Sequence, residues 1–136
     1  HPGDPGGETK VGISKRAYPA LDIKALTLAQ AKAIYRRDYW IPAGCDRAPE
    51  PLRFDLLDMA VNSGVKIATR TLQRALGIRD DGLIGPATLS ALSQSDPTAV
   101  QARFNGARLQ MMTDLATWPT FGKGWARRIA ANLMRI

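Results

Sequence analysis

Acid–base chemistry has few residues to draw on in this sequence. His1 is the only histidine, and it stands at the very terminus. Neither a serine triad nor a thiol–histidine pair can be assembled around it. Cys45 is the only cysteine, so no internal disulfide and no cysteine metal set can form, and it reads as a structural thiol. Proton transfer therefore falls to carboxylates: two glutamates, Glu8 and Glu50, and ten aspartates. The densest polar cluster is Asp4 and Glu8 beside Thr9, within HPGDPGGETKVGIS at residues 1–14. It reads either as a reactive group of carboxylates or as a solvated turn capped by an Asx side chain. Asp58 and Asn62 stand four apart in DMAVNSG, close to Ser63, on or near one helical face. They either line a cleft or polarise the end of a helix. Tyr35, Tyr39 and Trp40 are able to stack on sugar rings, although at helical spacing such residues commonly pack into a core. Metal-ligand clusters are absent, and GxxxxGK[ST] does not occur, so neither a metal nor another cofactor is expected.

The elements that position these residues are helical. Thr27-Leu28-Ala29-Gln30 reads as a capping box, followed by the stripe Leu28, Ala31, Ile34, Tyr35 and Tyr39, with Pro42 and Gly44 as the stop. A second helix is expected from Pro51 to Gly64 with Leu52, Leu56, Met59 and Ala60 inward. A third, VKIATRTLQRALG, buries Val65, Ala68, Leu72 and Leu76 and ends at a left-handed Gly77. Asp81-Gly82 marks a tight turn, and Gly85-Pro86 starts a short helix. Asp96-Pro97 opens the longest helix, expected to run to Trp118, with Gly106 as a place of close approach for a helix or ligand. A last amphipathic helix is expected after Pro119 and Gly122, with Trp125, Ile129 and Leu133 inward and Arg127, Arg128 and Arg135 outward. The fold class is all-α, or α-dominant, with an irregular glycine-rich N-terminal segment.

At 136 residues, with 45% apolar and 23% charged residues, the chain is the size and composition of one compact soluble unit, or of two small lobes sharing a core. No apolar run is long enough to span a membrane. The first residues lack the basic-then-apolar pattern of a secretory signal. A formal charge of +7 favours polyanions: nucleic acid, anionic headgroups or bacterial envelope polymers.

Asp4-Pro5-Gly6-Gly7-Glu8-Thr9-Lys10-Val11-Gly12-Ile13 resembles the loop after the catalytic glutamate of glycoside hydrolase family 108, the N-acetylmuramidases of phages and Gram-negative bacteria. FDLLDMAVNSGVKIATRTLQRALGIRDDGLIGPATLSAL resembles the peptidoglycan-binding half of that family, and GKGWARRI its closing segment. The resemblance implies a lysozyme-like helical fold and hydrolysis of the β-1,4 bond between N-acetylmuramic acid and N-acetylglucosamine. It divides the chain into 1–48, the remainder of a muramidase lobe, and 49–136, a peptidoglycan-binding helical region packed on it. It also places the glutamate of a Glu-Gly-Gly-Tyr motif just upstream of His1, a position that neither Glu8 nor Glu50 fills, so residues 1–136 alone are expected to be inactive and the hydrolase activity to belong to the longer parent protein. That acid protonates the leaving oxygen, which calls for a carboxyl kept neutral by a partly apolar cleft.

By likeness to phage-type lysozymes, Asp4 activates water or stabilises charge and Thr9 holds the water. Asn62 resembles the asparagine that lines the cleft. With Tyr39, Asp58 and Gln73 it makes up the candidate substrate-binding set. The implied partner is the glycan strand of peptidoglycan, without nucleic acid or membrane insertion. The implied location is the periplasm or cell wall of a Gram-negative bacterium, or that wall reached from a phage. Two other readings compete: a non-catalytic peptidoglycan-binding module, and a helical nucleic-acid binder using the arginine-rich last helix.

Overall fold

The structure is a computed structural model that describes residues 9, 10, 13, 14 and 16–136, the side chains of 9 and 10 excepted. Among the described residues there are six α-helices and one minimal hairpin, and the chain divides into two compact units, 1–38 and 39–136. The all-α expectation holds.

In the first unit, strand β1 (Thr9–Lys10) pairs antiparallel with β2 (Ile13–Ser14). Helix α1 spans Leu28–Tyr35 and starts with the expected capping box. The Gln30 amide donates to the Thr27 hydroxyl at 3.1 Å, and the Thr27 amide donates to the Gln30 side chain at 2.9 Å. Ile13, Ile23, Leu26, Ala31 and Ile34 form the core of this unit. That cluster gathers around the second turn of α1 and leaves Leu28 59% exposed, against its expected place in the stripe. Thr27→Ala removes one acceptor from the first turn and should cost about 1 kcal/mol locally. Hydrogen exchange should quicken about fivefold in α1 and stay unchanged in α3 and α5; equal protection in α1 would sink the idea. A π-helical turn, Arg36–Trp40, follows α1. There Asp38 accepts from Arg37 and from the Tyr18 hydroxyl, and these bonds hold its carboxyl down at about 2.

The second unit is a helical bundle. Helices α2 (Glu50–Ser63), α3 (Val65–Leu76) and α5 (Pro97–Thr113) pack together, α4 (Pro86–Gln94) lies on α3, and α6 (Trp118–Leu133) lies on α5. Leu52, Leu56, Met59, Ala60, Ala68, Leu72 and Phe104 are wholly enclosed. Each large apolar side chain so buried stabilises by roughly 1.5–3 kcal/mol. Only Gly64, at φ 96°, separates α2 from α3, and this conformation favours glycine. Proline at the first turn starts α2, α4 and α5, and the Asp96 carboxylate caps α5 through the Ala99 amide at 3.2 Å.

Three expectations need correcting here. A side chain at Gly106 would meet nothing within 4 Å, because the glycine lies on the exposed face of α5. Helix α5 ends at Thr113, and α6 already begins at Trp118, so Pro119 falls in its first turn and Gly122 in its interior. Packing overrides the helix-breaking tendency of Gly122: the Trp118 indole covers that position so closely that a Cβ there would clash with the ring. Leu133, in the last turn of α6, is 42% exposed rather than inward.

Candidate functional site

Asp55, Asp58 and Asn62 follow one another along α2, and Gln101, Asn105 and Arg108 along α5, at spacings that keep each set on one face. The two faces meet in a buried polar seam. The Asp55 carboxylate accepts from Gln101 Nε2 at 2.9 Å and Asn105 Nδ2 at 3.1 Å. One turn on, Asp58 Oδ2 accepts from Arg108 Nη1 at 2.6 Å. Its other oxygen accepts from Arg128 Nη1, on α6, at 2.5 Å and from Asn62 Nδ2 at 3.2 Å. Burial pushes the Asp58 carboxyl up, but the hydrogen bonds and charges of Arg108 and Arg128 outweigh it and hold the group below the usual carboxylate range.

A cavity of about 280 Å³ opens beside this cluster. Asn62, Ser63, Arg108 and Arg128 supply its polar lining, and Met112 and Trp125 are among its apolar residues. Trp125 belongs to an aromatic row on α6, with its ring centroid 5.8 Å from that of Phe121 and 6.1 Å from that of Trp118. Among the described residues, no group of three histidine, cysteine or acidic side chains is arranged to hold a metal ion.

The expected site residues are placed as follows. Asp58 and Asn62 come together, with Asn62 exposed at the cavity and Asp58 behind it holding two guanidinium groups. Tyr39 is half-buried against the core of the second unit. Gln73 is 1% exposed, and its amide is committed inside the connection between α3 and α4. It donates to Asp81 Oδ1 and the Leu83 carbonyl, each at 2.9 Å, and to Thr88 Oγ1 at 3.1 Å. Its oxygen accepts from the Gly82 amide at 2.9 Å. Asp4, Glu8 and the Thr9 side chain lie outside the described residues. Cys45 is fully enclosed, and burial pushes its thiol up to about 11, far from nucleophilic.

Arg108, Arg128 and the aromatic row were not singled out by sequence reasoning. Charged and amide side chains on a helix ordinarily face solvent, and Arg128 was counted with the outward arginines. One signal was available: Gln101, Asn105 and Arg108 repeat at helical spacing next to the apolar Val100, Phe104 and Met112.

Comparison with known proteins fits this architecture. Two family models match in order along the chain: Glycosyl hydrolase 108 over residues 1–64 and Predicted Peptidoglycan domain over residues 67–130. Among solved structures, that of Brucella abortus SagA is similar over 99% of this chain and 82% of its own, with 36% sequence identity and a TM-score of 0.89. No curated protein matches the sequence. The fold and the matches together define a peptidoglycan hydrolase-like protein of all-α, lysozyme-like architecture. The chain belongs to the glycosyl hydrolase 108 family, whose activity is that of glycoside hydrolases of the muramidase kind. Peptidoglycan is its partner, and the cell wall its place of association.

Proposed function

We propose that this protein acts on the glycan strands of peptidoglycan at the bond between N-acetylmuramic acid and N-acetylglucosamine. Residues 1–48 contribute the hydrolytic lobe and 49–136 the wall-binding region. Asp4 activates water or stabilises the developing positive charge, and Thr9 holds that water. On the binding side Asn62 offers an exposed amide, Tyr39 a half-buried ring, and Asp58 and Gln73 act by positioning their neighbours. The single observation that carries the reading is the ordered pair of family matches on one chain that aligns with SagA almost end to end. The +7 charge supports attraction to the anionic envelope, in the periplasm of a Gram-negative bacterium or at a wall reached from a phage. Neither nucleic acid nor membrane insertion belongs to this reading. No helix among the described residues is long and apolar enough to cross a membrane.

A second reading, binding without cleavage, is favoured by one feature. The Predicted Peptidoglycan domain match covers residues 67–130 and by itself calls for no catalytic group. Purified sacculi separate the two. Treated with the chain extended upstream through the Glu-Gly-Gly-Tyr glutamate, they should yield, after borohydride reduction and mass spectrometry, fragments ending in reduced muramic acid, lost in Asp4→Asn and not released by residues 1–136 alone. Pelleting with sacculi without such fragments establishes the binding module instead.

A further inference from the structure

Asn62 is exposed and lines the cavity with one half of its amide already spent. Its Nδ2 donates to the Asp58 carbonyl at 2.7 Å and to Asp58 Oδ1 at 3.2 Å. Both partners are oxygens, so the amide cannot be turned the other way round, and what it has left for a ligand is the acceptor Oδ1. Ser63 and Thr117 stand on the same lining, and the Thr117 hydroxyl makes no capping bond to α6. Hydroxyl groups donate as readily as they accept. Arg108 is wholly enclosed and offers no surface here, and Arg128 has its Nη1 on Asp58.

The remaining lining is apolar and open to water. Ile67 and Leu115 are 43% and 42% exposed, and with Met111, Met112 and Trp125 they leave a surface that a methyl group or the apolar face of a sugar ring would cover. Stacking against Phe121 fixes the Trp125 ring. A fixed acceptor, two hydroxyls and an apolar floor match the three parts of a secondary acetamide: its N–H, its carbonyl and its methyl. An ammonium group is the opposite case. Among the described residues no acid lines the cavity, and both oxygens of Asp58 are engaged. An ammonium would shed water against apolar surface and gain no counter-charge. At about 280 Å³ the cavity holds a single sugar residue rather than a strand. Every lining residue belongs to the second unit.

We infer that this cavity reads the acetylation state of the glycan: it takes the 2-acetamido group of one N-acetylated sugar and rejects the same sugar once its nitrogen is a free ammonium. The source of the sugar rests on the peptidoglycan reading above; the acetamide chemistry rests on Asn62, the two hydroxyls and the apolar floor. The site directs the second unit to acetylated stretches of the wall and away from de-N-acetylated ones.

The test is a titration of the full chain, followed by the indole N–H resonance of Trp125, with three disaccharides: N,N′-diacetylchitobiose, its de-N-acetylated form as the ammonium, and cellobiose, which has hydroxyls in place of acetamides. The acetylated sugar should shift that resonance, and the other two should bind at least about tenfold more weakly. Asn62→Leu removes the acceptor, and Thr117→Val removes a hydroxyl at an exposed position that caps no helix. Each should weaken the acetylated sugar by about fivefold or more while amide resonances away from the cavity keep their positions. Equal binding of the acetylated and de-N-acetylated sugars, or unchanged binding in both variants, overturns the site. Tighter binding of N-acetyl-L-alanine methylamide, a peptide with the same amide and methyl groups, overturns its assignment to the sugar. Pelleting with sacculi while the acetylated disaccharide leaves Trp125 unmoved overturns this site and leaves the peptidoglycan reading standing. Disaccharide binding without pelleting keeps the acetamide site and overturns its source.

Discussion

Asp58→Ala should destabilise the second unit by about 3–5 kcal/mol, because it leaves Arg108 charged and enclosed without the one acceptor it has among the described residues. The loss is far larger than for an exposed pair, which contributes at most about 1 kcal/mol. Arg128→Ala, which removes the half-exposed partner and leaves Arg108 in place, should therefore cost much less. The dependence on pH follows from the same geometry. The folded-state carboxyl of Asp58 lies below its unfolded value, so its contribution is complete above that value, near 3.9, and fades as pH falls through the folded one. Urea denaturation at neutral pH should show the full gap between wild type and Asp58→Ala, and the gap should narrow in acid. A gap of the same size at both ends would mean that the carboxylate charge is not what holds the arginines.

The second large effect belongs to Gln73. Its four hydrogen bonds tie α3 to the connection that carries Asp81, Gly82 and Leu83 and to Thr88 at the start of α4. Gln73→Ala removes all four and leaves the buried Thr88 hydroxyl without its donor, at an expected cost of about 3 kcal/mol. The change should also be visible locally. The Leu83 amide and the Gln73 side chain together hold the Asp81 carboxyl below its usual range. In Gln73→Ala that carboxyl should titrate higher, and the Gly82 amide should exchange faster. A variant with an unchanged melt and an unchanged Asp81 titration would show that the connection stands without the glutamine.

These residues show where the sequence was informative. The Thr27 capping box, the left-handed Gly77, the tight turn at Asp81-Gly82 and the first-turn prolines of α4 and α5 all follow from interactions within a few residues, and all were legible. The inward faces of α2 and α3 were legible too, because Leu52, Leu56, Met59, Ala68 and Leu72 repeat at 3.6 residues. What failed depends on side-chain packing that spacing along the chain does not encode. Leu28 and Leu133 continue their stripes but meet no core, and the start of α6 was obscured because Gly122 is required by an indole four residues back. The polar seam was hardest to read. Asp58 and Asn62 were found as a local pair, but Arg108 and Arg128 reach them from 50 and 70 residues away. Gln73 was placed on the binding side, and nothing in its neighbourhood signalled that its amide is occupied inside the protein.

The single-residue junction at Gly64 bears on how such a chain can be inherited. The two family matches divide within three residues of it, at 64 and 67, yet Leu52, Leu56 and Met59 from one side fill the same core as Ala68, Leu72 and Phe104 from the other. A recombination event at that seam would not exchange a self-sufficient module. It would pair half of one core with half of another and succeed only between parents whose halves already fit. The two segments are therefore expected to descend together, and a protease nick at Gly64 would yield two fragments that stay associated rather than two free domains.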